Sequence, residues 1–132
     1  MEIAAIVRST ALRHDVSLRT GSSSQSLAVP TKSTGRGSAV NGGEFLMLAL
    51  ATCYCNDLYR EAERIGIPLE SAEVEAVAEF PAIGLAATNI RYRAKVKSSA
   101  PPSEIARLIR ETDAVAEVHN TIRAGVPVEL EA

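Results

Sequence analysis

Residues 41–55 read Asn41-Gly-Gly-Glu-Phe-Leu-Met-Leu-Ala-Leu-Ala-Thr-Cys-Tyr-Cys55. This pattern predicts a glycine-rich loop that opens into a helix from about residue 43 to 65, which Gly66 ends. The first half of the helix is apolar almost all the way round, and such a helix is buried on every side. In a chain of 132 residues this indicates a central helix shared with the core or with a second subunit. Cys53 in that helix is either an inert core residue or a nucleophile in a dry pocket.

The composition is that of a globular protein. Apolar residues make up 46% of the chain and charged residues 23%, which excludes a disordered protein. The length predicts a single domain over residues 1–132. Aromatic residues make up only 4%, so the chain would gain from burying its core in an oligomer. The net charge of −2 and the absence of a basic stripe with interleaved aromatics argue against a nucleic-acid partner.

The sequence predicts a cytoplasmic protein without a membrane partner. Glu2 comes early and no apolar h-region follows, so no secretory signal is predicted. No segment reaches the roughly 18 apolar residues of a membrane span. Cys53 and Cys55 project about 200° apart on a helix, so a disulfide between them would break it. Two cysteines are also too few for structural zinc, and we expect reduced thiols, no metal and no cofactor.

Patterning predicts the remaining elements. Three N-terminal strands are expected over 2–9, 14–20 and 26–30, with a turn over 21–25. Alternating residues predict a hairpin in which an acidic strand, 73–80, faces a basic strand, 90–97. Two helices and a strand then follow, with Ser103 and Asp113 as N-caps, Gly125 as the stop and 126–130 as the last strand. The order β-β-β-α-β-β-α-α-β indicates an α+β fold.

Cys53 lies at a seam between an apolar and an ionic region of the predicted helix. Helical spacing puts it on one face with Leu50 above it and with Asp57 and Arg60 below it. The thiolate is the nucleophile and needs positive neighbours, whereas Asp57 would raise the thiol pKa unless Arg60 neutralises it. The residues alone favour an inert core cysteine, and an activating cation is expected from elsewhere in the chain.

Four other features have a structural and a functional interpretation. Glu44 at the helix start either favours the helix dipole or anchors an arginine that attends Cys53. Cys55 is expected to be a core filler, and both His14 and His119 are expected to be structural or exposed. The loop over 35–43 lacks the spacing of a phosphate-binding motif, which argues against a nucleotide.

Three segments resemble the OsmC/Ohr family of osmotically induced and organic hydroperoxide resistance proteins. Residues 44–53 are similar to that family's Glu-Leu-Leu-Leu-Ala-Ala-Leu-Ala-Ser-Cys signature. Residues 64–68 are similar to its Arg-Gly-Ile-Pro segment, and residues 121–128 to its closing Leu-x-x-Gly-Val-Pro-Val pattern. The resemblance implies an intertwined homodimer in which curved antiparallel sheets pack on long central helices.

The resemblance also implies thiol chemistry in oxidative-stress defence. In peroxidase members a first Cys attacks the hydroperoxide and becomes sulfenic acid, a second Cys closes a disulfide, and a dithiol reopens it. An Arg held by a Glu stabilises the thiolate. Carried over, Cys53 matches the attacking thiol, and Arg13 is the best match for the arginine, ahead of Arg36. The family's Glu falls on Gly43, so that Glu44 matches the neighbouring acid.

The second cysteine of the pattern is missing, which makes this an atypical member. Its position matches Ala116, so the usual disulfide cycle cannot run. The first hypothesis is a one-Cys thiol peroxidase that reduces organic hydroperoxides through Cys53 with an external thiol as reductant. The alternatives are a non-catalytic module that binds a small apolar ligand and a redox sensor that records oxidation of Cys53. All three include a second copy of the chain as partner.

Overall fold

The computed structural model describes residues 1–131 and shows a mixed α+β chain, which confirms the predicted class. Its elements in chain order are β1 (Ile3–Ser9), β2 (His14–Thr20), β3 (Ser23–Leu27), α1 (Gly42–Ile65), β4 (Ser71–Glu79), β5 (Thr88–Lys97), α2 (Pro102–Val115) and α3 (Glu117–Ala124). The strands form two antiparallel sheets, β1-β2-β3 and β4-β5. The chain divides into two compact units, Met1–Phe45 and Leu46–Ala132. The single domain predicted over 1–132 stays a prediction.

The first unit contains a three-stranded meander. β1 pairs with β2 from Ile3 opposite Thr20 to Ser9 opposite His14, and the spans of both strands agree with those predicted. The third strand is a correction, because it spans Ser23–Leu27 and not 26–30. The reason is a two-residue turn: Gly21 has φ of +58°, which glycine adopts without strain, and the chain reverses at once. The serines then pair through their backbone groups.

α1 begins with a reciprocal cap. The Glu44 N–H donates to Asn41 Oδ1 at 2.8 Å, and the Asn41 N–H donates to Glu44 Oε1 at 3.0 Å. This capping box satisfies two backbone donors that a helix start otherwise leaves free. The predicted helix is confirmed to within a residue, and Gly66 follows it with φ of +73°. Among the helices within residues 1–131, none is long and apolar enough to cross a membrane.

The core of the second unit lies on one face of α1. Leu50, Tyr54, Leu58 and Ala62 recur at every fourth residue, and all four are buried. The fully buried Leu108 of α2 packs in one cluster with Tyr54, Leu58 and Ala62. These contacts fix the rotation of α1 about its own axis, because turning the helix would expose them.

The β4–β5 hairpin covers this core. Its alternating side chains put Val74, Tyr92 and Ala94 against the buried cluster. On the other face Glu73 lies opposite Lys95 and Glu75 opposite Arg93, which confirms the predicted pairing of acidic and basic strands. A register shift between Val77 and Glu79 ends the regular pairing.

The caps of the last two helices differ from the prediction. α2 has Pro101 as N-cap and Pro102 as first residue, so Ser103 lies inside the helix. Proline suits that first position because its missing N–H would have no helical partner. α3 has Ala116 as N-cap, and Asp113 belongs to the last turn of α2. Gly125, with φ of +62°, ends α3 as predicted.

The last strand predicted over 126–130 is wrong, because these residues join no sheet in the described part of the chain. A strand requires a hydrogen-bonded neighbour, and Pro127 cannot donate to one. The apolar side chains of this segment find no cover here: Val128 is 99% exposed and Leu130 is 100% exposed.

Asp113 joins three elements, and its removal tests this packing. It accepts hydrogen bonds from the Tyr92 hydroxyl of β5 and from both Arg123 terminal nitrogens of α3, at 2.7 and 3.2 Å. We expect Asp113→Ala to lower the free energy of unfolding by about 1–2 kcal/mol in urea denaturation, since three hydrogen bonds are lost. Glu104→Ala removes only an exposed pair with Arg107 and should cost under about 0.5 kcal/mol. Equal losses would contradict the joining role.

Candidate thiol site

The Cys53 sulfur lies between two carboxyl groups from different helices. Its Sγ is 3.7 Å from Asp57 Oδ2, one turn further along α1, and 3.8 Å from Glu117 Oε2, the first residue of α3. Both distances are within reach of a thiol hydrogen bond. The side chain is half-buried. The predicted seam between an apolar and an ionic region is therefore present at this cysteine.

Arg60 holds the outer oxygens of the two carboxyl groups. Its Nη1 is 3.0 Å from Asp57 Oδ1 and 3.6 Å from Glu117 Oε1, while its Nε is 3.6 Å from Glu61 Oε2. The guanidinium thus pairs with one oxygen of each acid and leaves the other oxygen facing the sulfur. The planar guanidinium group carries several N–H donors, which suits it to contact more than one carboxylate.

The surroundings of Cys53 favour the neutral thiol. Burial is the main cause that raises its pKa, and the negative charges of Asp57 and Glu117 act in the same direction. The Val118 backbone N–H at the start of α3 acts against them, because a donor at a helix N-terminus favours the thiolate. The net result is a raised pKa of the Cys53 thiol, caused chiefly by burial, with the charge of Asp57 contributing in the predicted direction.

The two acids differ in environment. Burial, followed by the negative charge of Glu117, raises the pKa of Asp57, whose side chain is only 8% exposed. A hydrogen bond from its own backbone N–H is the main cause that lowers the pKa of Glu117, whose side chain is 69% exposed. Of the two acids, Glu117 therefore keeps its negative charge more readily, and Asp57 takes up a proton more readily.

This cluster is also the place to consider a metal ion. The donor atoms of Cys53, Asp57 and Glu117 all lie within 4.8 Å of one another. Structural zinc sites use four ligands of the Cys and His type, and here Arg60 already supplies a positive charge to both acids. We therefore assign no metal to the cluster, and the expected lack of a metal or cofactor stays a prediction.

Arg13 and Glu44, the other two predicted site residues, lie in the first unit with different partners. Arg13 is in the turn between β1 and β2, 74% exposed, and its Nη2 is 3.1 Å from Asp15 Oδ2. Glu44 uses Oε1 in the helix cap, which is its structural alternative. Within residues 1–45 the structure therefore does not pair Arg13 with Glu44. Their roles toward Cys53 stay predictions.

Glu117 is the site residue that the sequence interpretation missed. It directly follows Ala116, the position that matched the second cysteine of the family pattern, and Ala116 is fully buried. The segment over 116–118 was thus a signal, because a residue next to that position is expected near the first thiol.

His119 is structural, which was one of its two expected roles. It is 3% exposed and packs against two aromatic rings, with its ring centroid 4.5 Å from that of Tyr92 and 5.8 Å from that of Tyr54. Within residues 1–131 neither ring nitrogen has a hydrogen-bond partner. Burial and the positive charge of Arg123 lower its pKa, and Asp113 acts in the opposite direction. The neutral imidazole is therefore favoured.

Two open cavities lie away from the thiol. One of about 440 Å³ is lined by Tyr54, Tyr92, Ile109, Arg110 and neighbouring residues. Another of about 680 Å³ lies beside β2 and the segment that follows β3. Cys53 lines neither of them. A ligand bound in either cavity would therefore not contact the thiol.

The comparisons with known proteins show the family and the fold. A family model described as OsmC-like protein matches residues 35–131. The chain belongs to the OsmC family. The match includes Cys53 and Glu117 as well as the whole of α1. No curated protein sequence matches this chain.

Solved structures share the OsmC fold at low identity. An OsmC-like protein from Mycoplasma pneumoniae matches with a TM-score of 0.65 and 17% identity, covering 92% of this chain and 86% of that chain. An organic hydroperoxide resistance protein OsmC from Legionella pneumophila gives 0.61 and 21%, covering 96% and 94%. One from Elizabethkingia anophelis gives 0.63 and 17%, covering 98% and 94%. At these identities the likeness establishes the fold.

The buried imidazole predicts a pH-dependent stability. A lowered folded-state pKa contributes stability that is present above the unfolded value, about 6.5, and is lost as the pH falls toward the folded value. We expect the free energy of unfolding to fall below pH 6.5 with a slope from this group of up to about 1.4 kcal/mol per pH unit. His119→Leu should flatten the slope in urea denaturation between pH 7.5 and 5. An unchanged slope in His119→Leu would contradict the assignment.

Proposed function

We propose that this protein reduces organic hydroperoxides through Cys53, as a one-cysteine thiol peroxidase with an external thiol as reductant. The observation that carries the proposal is the position of the sulfur, half-buried and beside two carboxyl groups instead of inside a hydrocarbon core. The hydroperoxide resistance proteins among the structures of this fold support the choice of oxidant. The two free cysteines support a reducing compartment, the cytoplasm.

The proposed cycle uses one protein thiol. The sulfur attacks the terminal oxygen of the hydroperoxide, an S–O bond forms, the O–O bond breaks, and the products are a sulfenic acid and an alcohol. An external thiol then displaces water from the sulfenic acid to give a mixed disulfide. A second external thiol releases Cys53. No second thiol of the chain is required, which fits alanine at position 116.

A cation for the thiolate is part of the proposal. The second unit by itself favours the neutral thiol, so an arginine from elsewhere would help the attack. We assign this role to Arg13, with Arg36 as the alternative. Glu44 uses only Oε1 in the helix cap, and its Oε2 is left to orient a guanidinium.

The proposal includes a homodimer. Large apolar side chains are exposed on several elements: Leu48 of α1 at 55%, Ile3 and Val7 of β1 at 69% and 59%, and Val128 and Leu130 near the C-terminus at 99% and 100%. Exposed apolar surface of this extent is typical of a protein interface. A second copy of the chain would also cover the apolar half of α1, as its sequence predicts.

The peroxidase proposal is tested by trapping the sulfenic acid. We expect one equivalent of cumene hydroperoxide to yield a dimedone adduct at Cys53, and Cys53→Ser to abolish it. Cys55→Ser should keep the adduct and serves as the matched control. Continuous alcohol formation should require an added dithiol. A labelled sulfenic acid without turnover would favour the redox sensor, and no adduct at Cys53 would contradict thiol chemistry and favour the ligand-binding hypothesis.

The dimer is tested by a charge on the apolar part of α1. We expect Leu48→Glu to shift the molar mass from two copies toward one in size-exclusion chromatography with light scattering, because a buried unpaired carboxylate is costly. Glu63→Lys, on the exposed polar part of the same helix, should leave the dimer intact. A monomeric wild-type protein would contradict the proposal.

A further inference from the structure

The carboxyl pair beside Cys53 has a geometry that the proposed peroxidase reaction can use. One oxygen of Asp57 and one of Glu117 reach the sulfur, at 3.7 and 3.8 Å, and Arg60 holds the opposite oxygen of each. The acids come from separate helices, so their meeting at one sulfur depends on the tertiary fold. Asp57 is buried and Glu117 opens to solvent.

Attack on a hydroperoxide makes a demand that a cation at the thiolate does not meet. The leaving group is an alkoxide, a strong base, and it requires a proton as the O–O bond breaks. Proton transfer by a positioned side chain is a general means to lower such a barrier. The neutral thiol of Cys53 holds a proton that must leave the sulfur in the same step.

We propose that Glu117 and Asp57 form a proton relay that takes the thiol proton of Cys53 and delivers it to the leaving alkoxide. The inference rests on the proposed peroxidase function and gives it two further catalytic residues. The thiol proton moves to a carboxylate oxygen of the Asp57–Glu117 pair as the sulfur bonds to the terminal peroxide oxygen. The O–O electron pair goes to the alkoxide, and the carboxylic acid protonates it to the alcohol. Sulfur is oxidised by two electrons, the peroxide is reduced, and the pair returns to its starting state.

Arg60 is a positioning residue in this relay. It contacts the outer oxygens and not the reacting atoms, so that the inner oxygens stay directed at the sulfur. Its charge also offsets part of the repulsion between two acids in one place, which would otherwise hold them apart. A second contact, to Glu61, restrains the guanidinium further.

A different role for the acids predicts the opposite result. Two carboxyl groups near a sulfur also disfavour the thiolate, and if that were their only effect, removing one would speed every reaction of Cys53. A purely structural role would slow every reaction. The relay alone affects electrophiles according to whether their leaving group needs a proton.

The experiment compares two electrophiles in the full-length protein, with Cys55→Ser as background. Cumene hydroperoxide leaves as an alkoxide, whereas iodoacetamide releases iodide, which needs no proton. We expect Glu117→Gln to slow sulfenic acid formation at pH 7 by tenfold or more, with alkylation of Cys53 unchanged or faster. Asp57→Asn should show the same split, and Glu104→Gln, an exposed acid on α2, should change neither rate.

The outcomes separate this inference from the function on which it rests. If the parent protein forms sulfenic acid but Glu117→Gln reacts with the hydroperoxide as fast or faster, the relay is wrong and the peroxidase proposal stands. If Glu117→Gln slows both electrophiles equally, its role is structural and the relay is also wrong. If the parent protein is alkylated at Cys53 yet forms no sulfenic acid, both proposals fail.

Discussion

The packing of one face of α1 determines the site. Leu50, Tyr54 and Leu58 are buried in the core of the second unit, and this fixes how the helix is turned. Because successive residues on a helix are about 100° apart, fixing that face also fixes the direction of Cys53 and Asp57. The buried residues Tyr54 and Leu58 directly follow Cys53 and Asp57 in the sequence, so hydrophobic packing of the helix holds the sulfur and its nearest acid in place. Neither side chain depends on a loop for its position.

α3 supplies the other side of the site, and it acts on the sulfur in two opposing ways. The Val118 N–H in its first turn favours the thiolate, whereas the Glu117 carboxylate disfavours it. The helix is anchored by the buried His119 and by Arg123, which pairs with Asp113. The same helix start thus brings a donor and an acid to one atom, and neither can be moved without the other.

The sequence predicted well what local signals determine. The span of α1, the two N-terminal strands, the β4–β5 hairpin and the stop at Gly125 follow from period, charge and glycine position. The family follows from motifs around Cys53 and near the C-terminus. The errors fall where neighbouring residues decide the outcome. Pro101, and not Ser103, is the N-cap of α2, and the segment over 126–130 pairs with no strand within residues 1–131. Glu117 was missed because 64 residues separate it from Cys53.

The raised thiol pKa, at first sight unfavourable for a peroxidase, changes meaning beside a carboxyl pair. A resting thiolate reacts with many electrophiles, whereas a neutral thiol is protected from them. If the proton that protects the sulfur is also the proton that the leaving oxygen needs, protection is lifted only for a substrate that accepts it. In the proposed mechanism, selectivity for hydroperoxides then comes from proton transfer and does not depend on the shape of a pocket alone. This agrees with the position of Cys53, which lines neither of the two cavities described above.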